Sequence, residues 1–160
     1  MKVVATMATT TGQQHDAAVS GTHTPTDGIV AGVAGGAAGG MVFGMMMQMM
    51  GRMPMVASLA GSNSVAIGWA THLAISMVLG AGFGLLLGGR RLTIGTALAS
   101  GGVYGMVWWV LGALILMPLR LGMPVFHLDA MAWQSLMGHL MFGMVLGLVA
   151  RSLSRAHRTA

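Results

Sequence analysis

Two histidines stand in near-copies of one apolar stretch, and their side chains are the ones best placed for chemistry inside hydrophobic surroundings. Residues 72–80 read HLAISMVLG and residues 139–147 read HLMFGMVLG, with six of nine positions identical. His72 and His139 are each the only histidine of their apolar segment. A neutral imidazole offers one N–H donor and one lone pair, so it can hydrogen-bond a neighbouring helix or ligate a metal.

The composition indicates a membrane protein. The chain has 160 residues, of which 55% are hydrophobic and 7% charged, and its mean hydropathy is +0.77. Soluble domains carry about 25% charged residues, so this chain lacks the polar surface to face water on all sides. The net charge is +5, but no basic stripe with interleaved aromatic residues is present, which excludes a nucleic-acid partner. Cysteine is absent, while glycine (26) and methionine (18) are frequent.

Four apolar segments predict the fold. They cover about 28–50, 65–88, 94–118 and 131–150, between a polar tail at 1–27, predicted to be disordered, and a basic tail at 151–160. A helix needs about 20 residues to cross the hydrocarbon core, and lipid offers no partner to an irregular backbone. Short loops make consecutive helices antiparallel. We therefore predict an all-α polytopic membrane protein, a four-transmembrane-helix antiparallel bundle in the lipid bilayer, with helix N-caps at Asp27, Ser64, Thr93 and Asp129.

Further similarities predict an internal repeat. Residues 40–43 (GMVF) resemble 105–108 (GMVW), and the loop 52–54 (RMP) resembles 120–124 (RLGMP). The order of these marks and of the histidine stretches is kept twice along the chain. Two parallel helical-hairpin repeats, related by an axis along the membrane normal, are the expected result.

The basic residues predict the orientation. The positive-inside rule places the side richer in Arg in the cytoplasm. Only Arg52 and Arg120 belong to one side, and five arginines to the other: Arg90, Arg91, Arg151, Arg155 and Arg158. The chain is therefore expected in the cell membrane with both termini cytoplasmic and with loops 51–64 and 119–130 external.

Small residues recur every four positions on three of the spans and predict helix contact faces, because small side chains let backbones approach closely. Both histidines lie on these stripes, so we expect them to face protein. The rise of 1.5 Å per residue puts both at one depth, level with Gly44 and Gly112. The stripes comprise Gly28, Gly32, Gly36, Gly40 and Gly44; Gly68, His72, Ser76, Gly80, Gly84 and Gly88; and Ser135, His139, Gly143 and Gly147.

Three interpretations of the histidine pair stay open. In the first, each imidazole only pins helices together through hydrogen bonds, which average about 0.6 kcal/mol between membrane helices. In the second, His72 and His139 are the axial ligands of haem b, with Arg52 and Arg120 pairing with its propionates.

The third interpretation is copper. Thioether and imidazole ligands suit Cu(I), and Met46 and Met50 share a helix face four residues apart. With His72 and His139 they would form the metal site. The methionine run nevertheless surrounds the whole helix, which favours packing for most of these side chains.

The sequence argues against an enzyme. It has no Glu, and its only acids are Asp16, Asp27 and Asp129, so no span carries paired carboxylates for acid–base chemistry. No phosphate-cradling loop or HExxH motif is present. The chain is expected to be non-catalytic. The alternatives are a subunit of an oligomeric transporter of a small solute or ion, or an accessory subunit whose small helix faces dock against itself or another membrane protein.

Overall fold

The computed structural model describes residues 25–87, 90 and 92–156, and all regular elements in these ranges are helical. Outside the described residues lie positions 1–24 of the predicted tail, the stripe position Gly88, and Arg91 and Arg158. The same holds for the side chain of Arg155. In chain order the helices are α1 (Pro25–Met49), α2 (Met53–Ser58), α3 (Val65–Leu87), α4 (Ile94–Trp108), a π-helix (Trp109–Leu116), α5 (Met117–Leu121) and α6 (Ala130–Ala156).

Four helical segments are long and apolar enough to cross a membrane: α1, α3, the continuous run from α4 through α5, and α6. They pack antiparallel, which confirms the predicted all-α bundle of a multi-pass membrane protein. The largest difference in boundaries is at α6, which continues to Ala156 instead of ending near 150. The last residues of the predicted tail, 25–27, belong to the first turn of α1.

Two of the predicted N-caps are confirmed by their hydrogen bonds. The Thr93 hydroxyl accepts from the Thr96 backbone N–H at 3.1 Å, and Asp129 Oδ1 accepts from the Ala132 backbone N–H at 2.9 Å. Asp27 instead lies inside the first turn of α1. A carboxylate there is favourable because the helix dipole is positive at its N-terminal end.

The small-residue stripes are helix contact faces, as predicted. Along the α1–α3 seam, Gly36 and Gly80 face each other so closely that a Cβ on Gly80 would lie 2.8 Å from the Cα of Gly36. Along the α4–α6 seam, a Cβ on Gly101 would lie 2.8 Å from the backbone carbonyl carbon of Gly143. Lipid is as apolar as a leucine side chain, so such close backbone packing is a main source of helix association in the bilayer.

The two hairpins join along α1 and α6, while α3 and α4 are bridged by one side chain. Gly35 and Gly39 of α1 lie against Leu146 and Phe142 of α6. Tyr104 of α4 donates its hydroxyl hydrogen to the Leu79 carbonyl of α3 at 2.7 Å. The α1–α6 contact therefore forms the centre of the bundle.

We attribute the π-helix inside the third span to Pro118, which follows it directly in α5. Pro118 has no N–H, so it cannot donate to the Leu114 carbonyl as an α-helix requires. The backbone N–H of Phe126 donates to that carbonyl instead, at 3.0 Å. Gly112, within the π-helix, has open space where a Cβ would stand. Such irregular turns occur often at functional sites.

The predicted loop 51–64 contains the short helix α2, which folds back onto the bundle. Met53, Val56 and Ala57 are buried, and the Met53 backbone packs directly on Gly68 of α3. The end of the bundle that carries α2 and the segment 122–129 is called the α2 end below.

Candidate functional site

A cavity of about 600 Å³, partly open to the surroundings, lies at the α2 end of the bundle. Residues from all the helices line it, with α4 contributing only Trp108, together with the turn after α1 and the segment that follows α5. Most of the wall is apolar. The polar and ionisable groups are few: Arg52, His72, Ser76, Trp108, Arg120, His127, Asp129, Ser135 and His139. A concave, mostly apolar wall with a small number of polar groups is the usual form of a small-molecule site.

The cavity brings together five of the six residues that the sequence proposed as ligands. The four residues of the haem hypothesis (the two histidines, Arg52 and Arg120) all line its wall, and so does Met50. Met46 does not line it. The six methionines on the wall are Met47, Met50, Met55, Met117, Met123 and Met131.

His72 links two helices. Its side chain is buried, and its Nε2–H donates to the Gly40 carbonyl of α1 at 2.9 Å. The stripe position Gly44 makes room beside it, since a Cβ there would lie 3.2 Å from the His72 ring. Gly44 and His72 are thus level, as predicted. The contact is the interhelical hydrogen bond of the structural interpretation.

His139 uses its ring differently. Its Nδ1–H donates to the Ser135 carbonyl of its own helix at 2.8 Å. In a neutral imidazole Nε2 then carries the lone pair, and no group in the described part of the chain donates to it. Metal-ligating histidines are commonly held this way, with the second nitrogen on a backbone carbonyl. The two histidines stand in similar stretches, but of the two only His139 has an Nε2 without a hydrogen-bond partner among the described residues.

Phe43 packs against both imidazoles. The centroid of its ring lies 5.4 Å from that of His72 and 4.8 Å from that of His139, both edge to face. A flat group ligated by both histidines would have to displace this ring. The sequence did not reveal this role of Phe43, since an aromatic residue in an apolar span carries no distinguishing signal.

Arg52 directly precedes α2, is hydrogen-bonded to α6, and has N–H groups without an acceptor. Its Nη2 donates to Gln134 Oε1 at 2.7 Å, while its Nε and Nη1 atoms are buried and have no hydrogen-bond acceptor. Gln134 was missed from the sequence, although a polar residue in the first turn of an apolar span is a detectable signal. Arg120 lies on the same wall but is exposed.

The carboxylate on the cavity wall, that of Asp129, already has protein partners. Asp129 caps α6 through Oδ1, and its Oδ2 lies 3.9 Å from His127 Nε2. Among the described residues, no three His, Cys, Asp or Glu side chains form a cluster that could hold a metal ion. The cavity can therefore offer imidazole nitrogens of His139 and His127, soft thioethers and cationic donors to a ligand, but no carboxylate-rich metal site within those residues.

No protein-family model, curated protein or solved structure matches this chain. Fold and site together define its class. It is a small polytopic membrane protein with four apolar helices and an apolar cavity at one end of the bundle.

Proposed function

We propose that this chain is a non-catalytic, ligand-binding membrane protein whose cavity takes haem b with His139 as its axial ligand. One observation carries the proposal: an imidazole with its Nε2 unengaged lies on the wall of a 600 Å³ apolar cavity. Haem is a large, flat, apolar group with an iron that accepts imidazole nitrogen and two acidic side arms. The cavity offers a counterpart to each of these features, since Arg52 and Arg120 line the same wall.

The structural interpretation applies to His72 in this proposal. Its Nε2 is committed to the Gly40 carbonyl, and Phe43 packs against both imidazoles. One-sided ligation by His139 keeps both of these contacts, whereas ligation by the two histidines together would break them. The protein would tune the iron through the axial imidazole and the low polarity of the wall.

Copper is the second candidate, and the methionine-lined wall favours it. Thioethers and one imidazole form a soft ligand set that suits Cu(I). The set predicted from the sequence loses Met46, which does not line the cavity, and retains Met50. Haem remains the first candidate because a single ion needs far less space than this cavity provides.

We further propose that the two hairpins are repeats. In support, their seams share one register: Gly36 contacts the Ser76 carbonyl and the Cα of Gly80, while Gly101 contacts the carbonyl of Gly143 and the backbone N of Gly147. These positions correspond when the two histidine stretches are aligned.

The proposed orientation places both termini in the cytoplasm and the cavity on the external side of the cell membrane. The distribution of arginines supports it, as does Trp133, which is 55% exposed in the first turns of α6. Tryptophan is enriched at the membrane–water interface. A cavity at this level would also serve the alternatives, an oligomeric transporter or an accessory subunit of a larger complex.

The test is the absorption spectrum of the full chain purified in mild detergent, with haem and copper quantified, followed by titration with hemin. We expect a saturable Soret band in the wild type, its loss in His139→Ala, and its retention in His72→Ala, which should only lower the melting temperature. Loss of the band in folded His72→Ala with retention in His139→Ala would refute the assignment. Stoichiometric copper that depends on His139 would favour the second candidate, and histidine-dependent solute flux in liposomes would favour transport.

A further inference from the structure

We propose that Arg52 is the recognition residue for an acidic head group on an apolar ligand, with the rest of the ligand in the cavity. The inference rests on the proposed function in one respect, that the cavity is a ligand site. It does not depend on the ligand being haem.

The first argument is the hydrogen bonding of Arg52 itself. One of its three nitrogens is satisfied, by the neutral amide of Gln134. The other two are buried without an acceptor, although a guanidinium carries five N–H donors. Buried charged donors without partners are costly, so such groups normally have an anion or another acceptor beside them. The Gln134 contact holds the guanidinium at the cavity wall.

The second argument is the absence of an internal counter-ion within the described residues. The chain contains no Glu and three Asp. Asp27 lies in the first turn of α1, at the opposite end of that helix from Arg52. Asp129 lies within salt-bridge distance of His127 but not of Arg52. The negative charge that would neutralise Arg52 must therefore come from outside these residues.

The wall of the cavity defines the remainder of the ligand. Apart from its few polar groups it is built of Met, Leu, Ile, Val and aromatic side chains, which accept an apolar body, and methionine adapts to irregular shapes. Guanidinium is suited to carboxylate and phosphate oxygens. The ligand class is thus an amphiphile with one or more acidic oxygen groups, supplied by a carboxylic acid or by a lipid phosphate.

The experiment uses bromine quenching of tryptophan fluorescence with the full chain in nanodiscs. Trp108 lies on the cavity wall and Trp109 is its neighbour in the chain. The probes are 9,10-dibromostearate, its methyl ester, and a dibrominated phosphatidic acid. Arg52→Gln removes the charge, Arg52→Lys keeps it, and Arg90→Gln is the matched control, because Arg90 is exposed and does not line the cavity.

We expect the wild type to bind an acidic probe at least tenfold more tightly than the methyl ester, and Arg52→Gln to lose that preference. Arg90→Gln should keep it, and Arg52→Lys should restore part of it if Arg52→Gln folds poorly. Preference for the carboxylate or for the phosphate probe identifies the source of the acidic group. Equal binding of acids and ester by the wild type, or an unchanged preference in Arg52→Gln, would overturn the inference.

A parallel titration with hemin and its dimethyl ester separates the two proposals. If hemin fails to bind but the Arg52-dependent preference for the acid is present, the haem proposal falls and the Arg52 inference stands. If both haem compounds bind through His139 equally well with and without Arg52, the inference falls and the haem proposal stands.

Discussion

Two adjacent glycines in α4 allow the helix seam to be tested with a built-in control. A Cβ at Gly101 would lie 2.8 Å from the carbonyl carbon of Gly143 and would also contact its oxygen. A Cβ at Gly102 would meet nothing nearer than Met144 Cγ, at 3.9 Å. Gly101→Ala and Gly102→Ala therefore make the same chemical change at neighbouring positions of one helix, against backbone in the first case and in free space in the second.

The expected difference follows from these distances. Alanine favours a helix over glycine by about 1 kcal/mol, and this gain is common to both variants. At Gly101 the α4–α6 backbones must separate by more than about 0.6 Å, since that distance relieves only the contact with the carbonyl carbon, from 2.8 to 3.4 Å, and the carbonyl oxygen lies nearer still. A gap of about 0.5–1 Å forfeits a quarter to a half of the dispersion energy of the atoms it separates. Overpacking costs about 1–3 kcal/mol, so Gly101→Ala should be less stable than Gly102→Ala by about this amount.

The assay is unfolding of the two variants in mixed detergent micelles with increasing SDS, monitored by tryptophan fluorescence and by circular dichroism. Gly102→Ala should match or slightly exceed the wild type, while Gly101→Ala should unfold at lower SDS. Equal midpoints for the two variants, with full helicity retained, would refute the α4–α6 seam as described. Such a result would also mean that α4 does not pack against the backbone of His139 as described.

Two further changes test the third span and its link to α3. Pro118→Ala supplies an N–H that can compete with the Phe126 N–H for the Leu114 carbonyl. The backbone amide of Phe126 should then exchange its hydrogen faster, and an unchanged exchange rate would contradict the proposed cause of the π-helix. Tyr104→Phe removes the hydrogen bond from the hydroxyl to the Leu79 carbonyl and should lower the free energy of unfolding by about 0.6 kcal/mol, up to about 1.7. The measurement is the melting temperature in detergent. An unchanged value would mean that the hydroxyl bond contributes nothing.

The fold was predictable because its main determinants are local. A run of apolar residues long enough to cross the bilayer must form a helix. Glycines at every fourth position mark a helix contact face, whichever helix packs against it. The π-helix was not predictable in the same way. The pattern contains Pro118, but the outcome depends on Phe126 reaching back to Leu114, and Phe126 does so with φ +54°, a conformation that few non-glycine residues adopt.

The composition of the site was partly predictable, and its connections were not. His72 and His139 could be grouped by their depth, and Arg52 and Arg120 by their place in the two loops on the same side. Met46 and Met50 are four residues apart, yet only Met50 lines the cavity, since α1 ends at Met49 and the chain turns at Gly51, which has φ +68°. A periodicity argument fails where the helix stops. The free donors of Arg52 depend on the whole set of neighbours, which no single segment specifies.

The two histidines bond differently although they stand in near-copies of one stretch. Where the second copy has Gly143, the first has Ser76, and the Ser76 side chain lies against Gly40. In the second hairpin the corresponding Gly105 packs directly on the backbone of His139. His72 bonds across its seam to the Gly40 carbonyl, whereas His139 bonds to the Ser135 carbonyl of its own helix. Two near-identical stretches thus place one imidazole in an interhelical hydrogen bond and leave Nε2 of the other without a partner among the described residues.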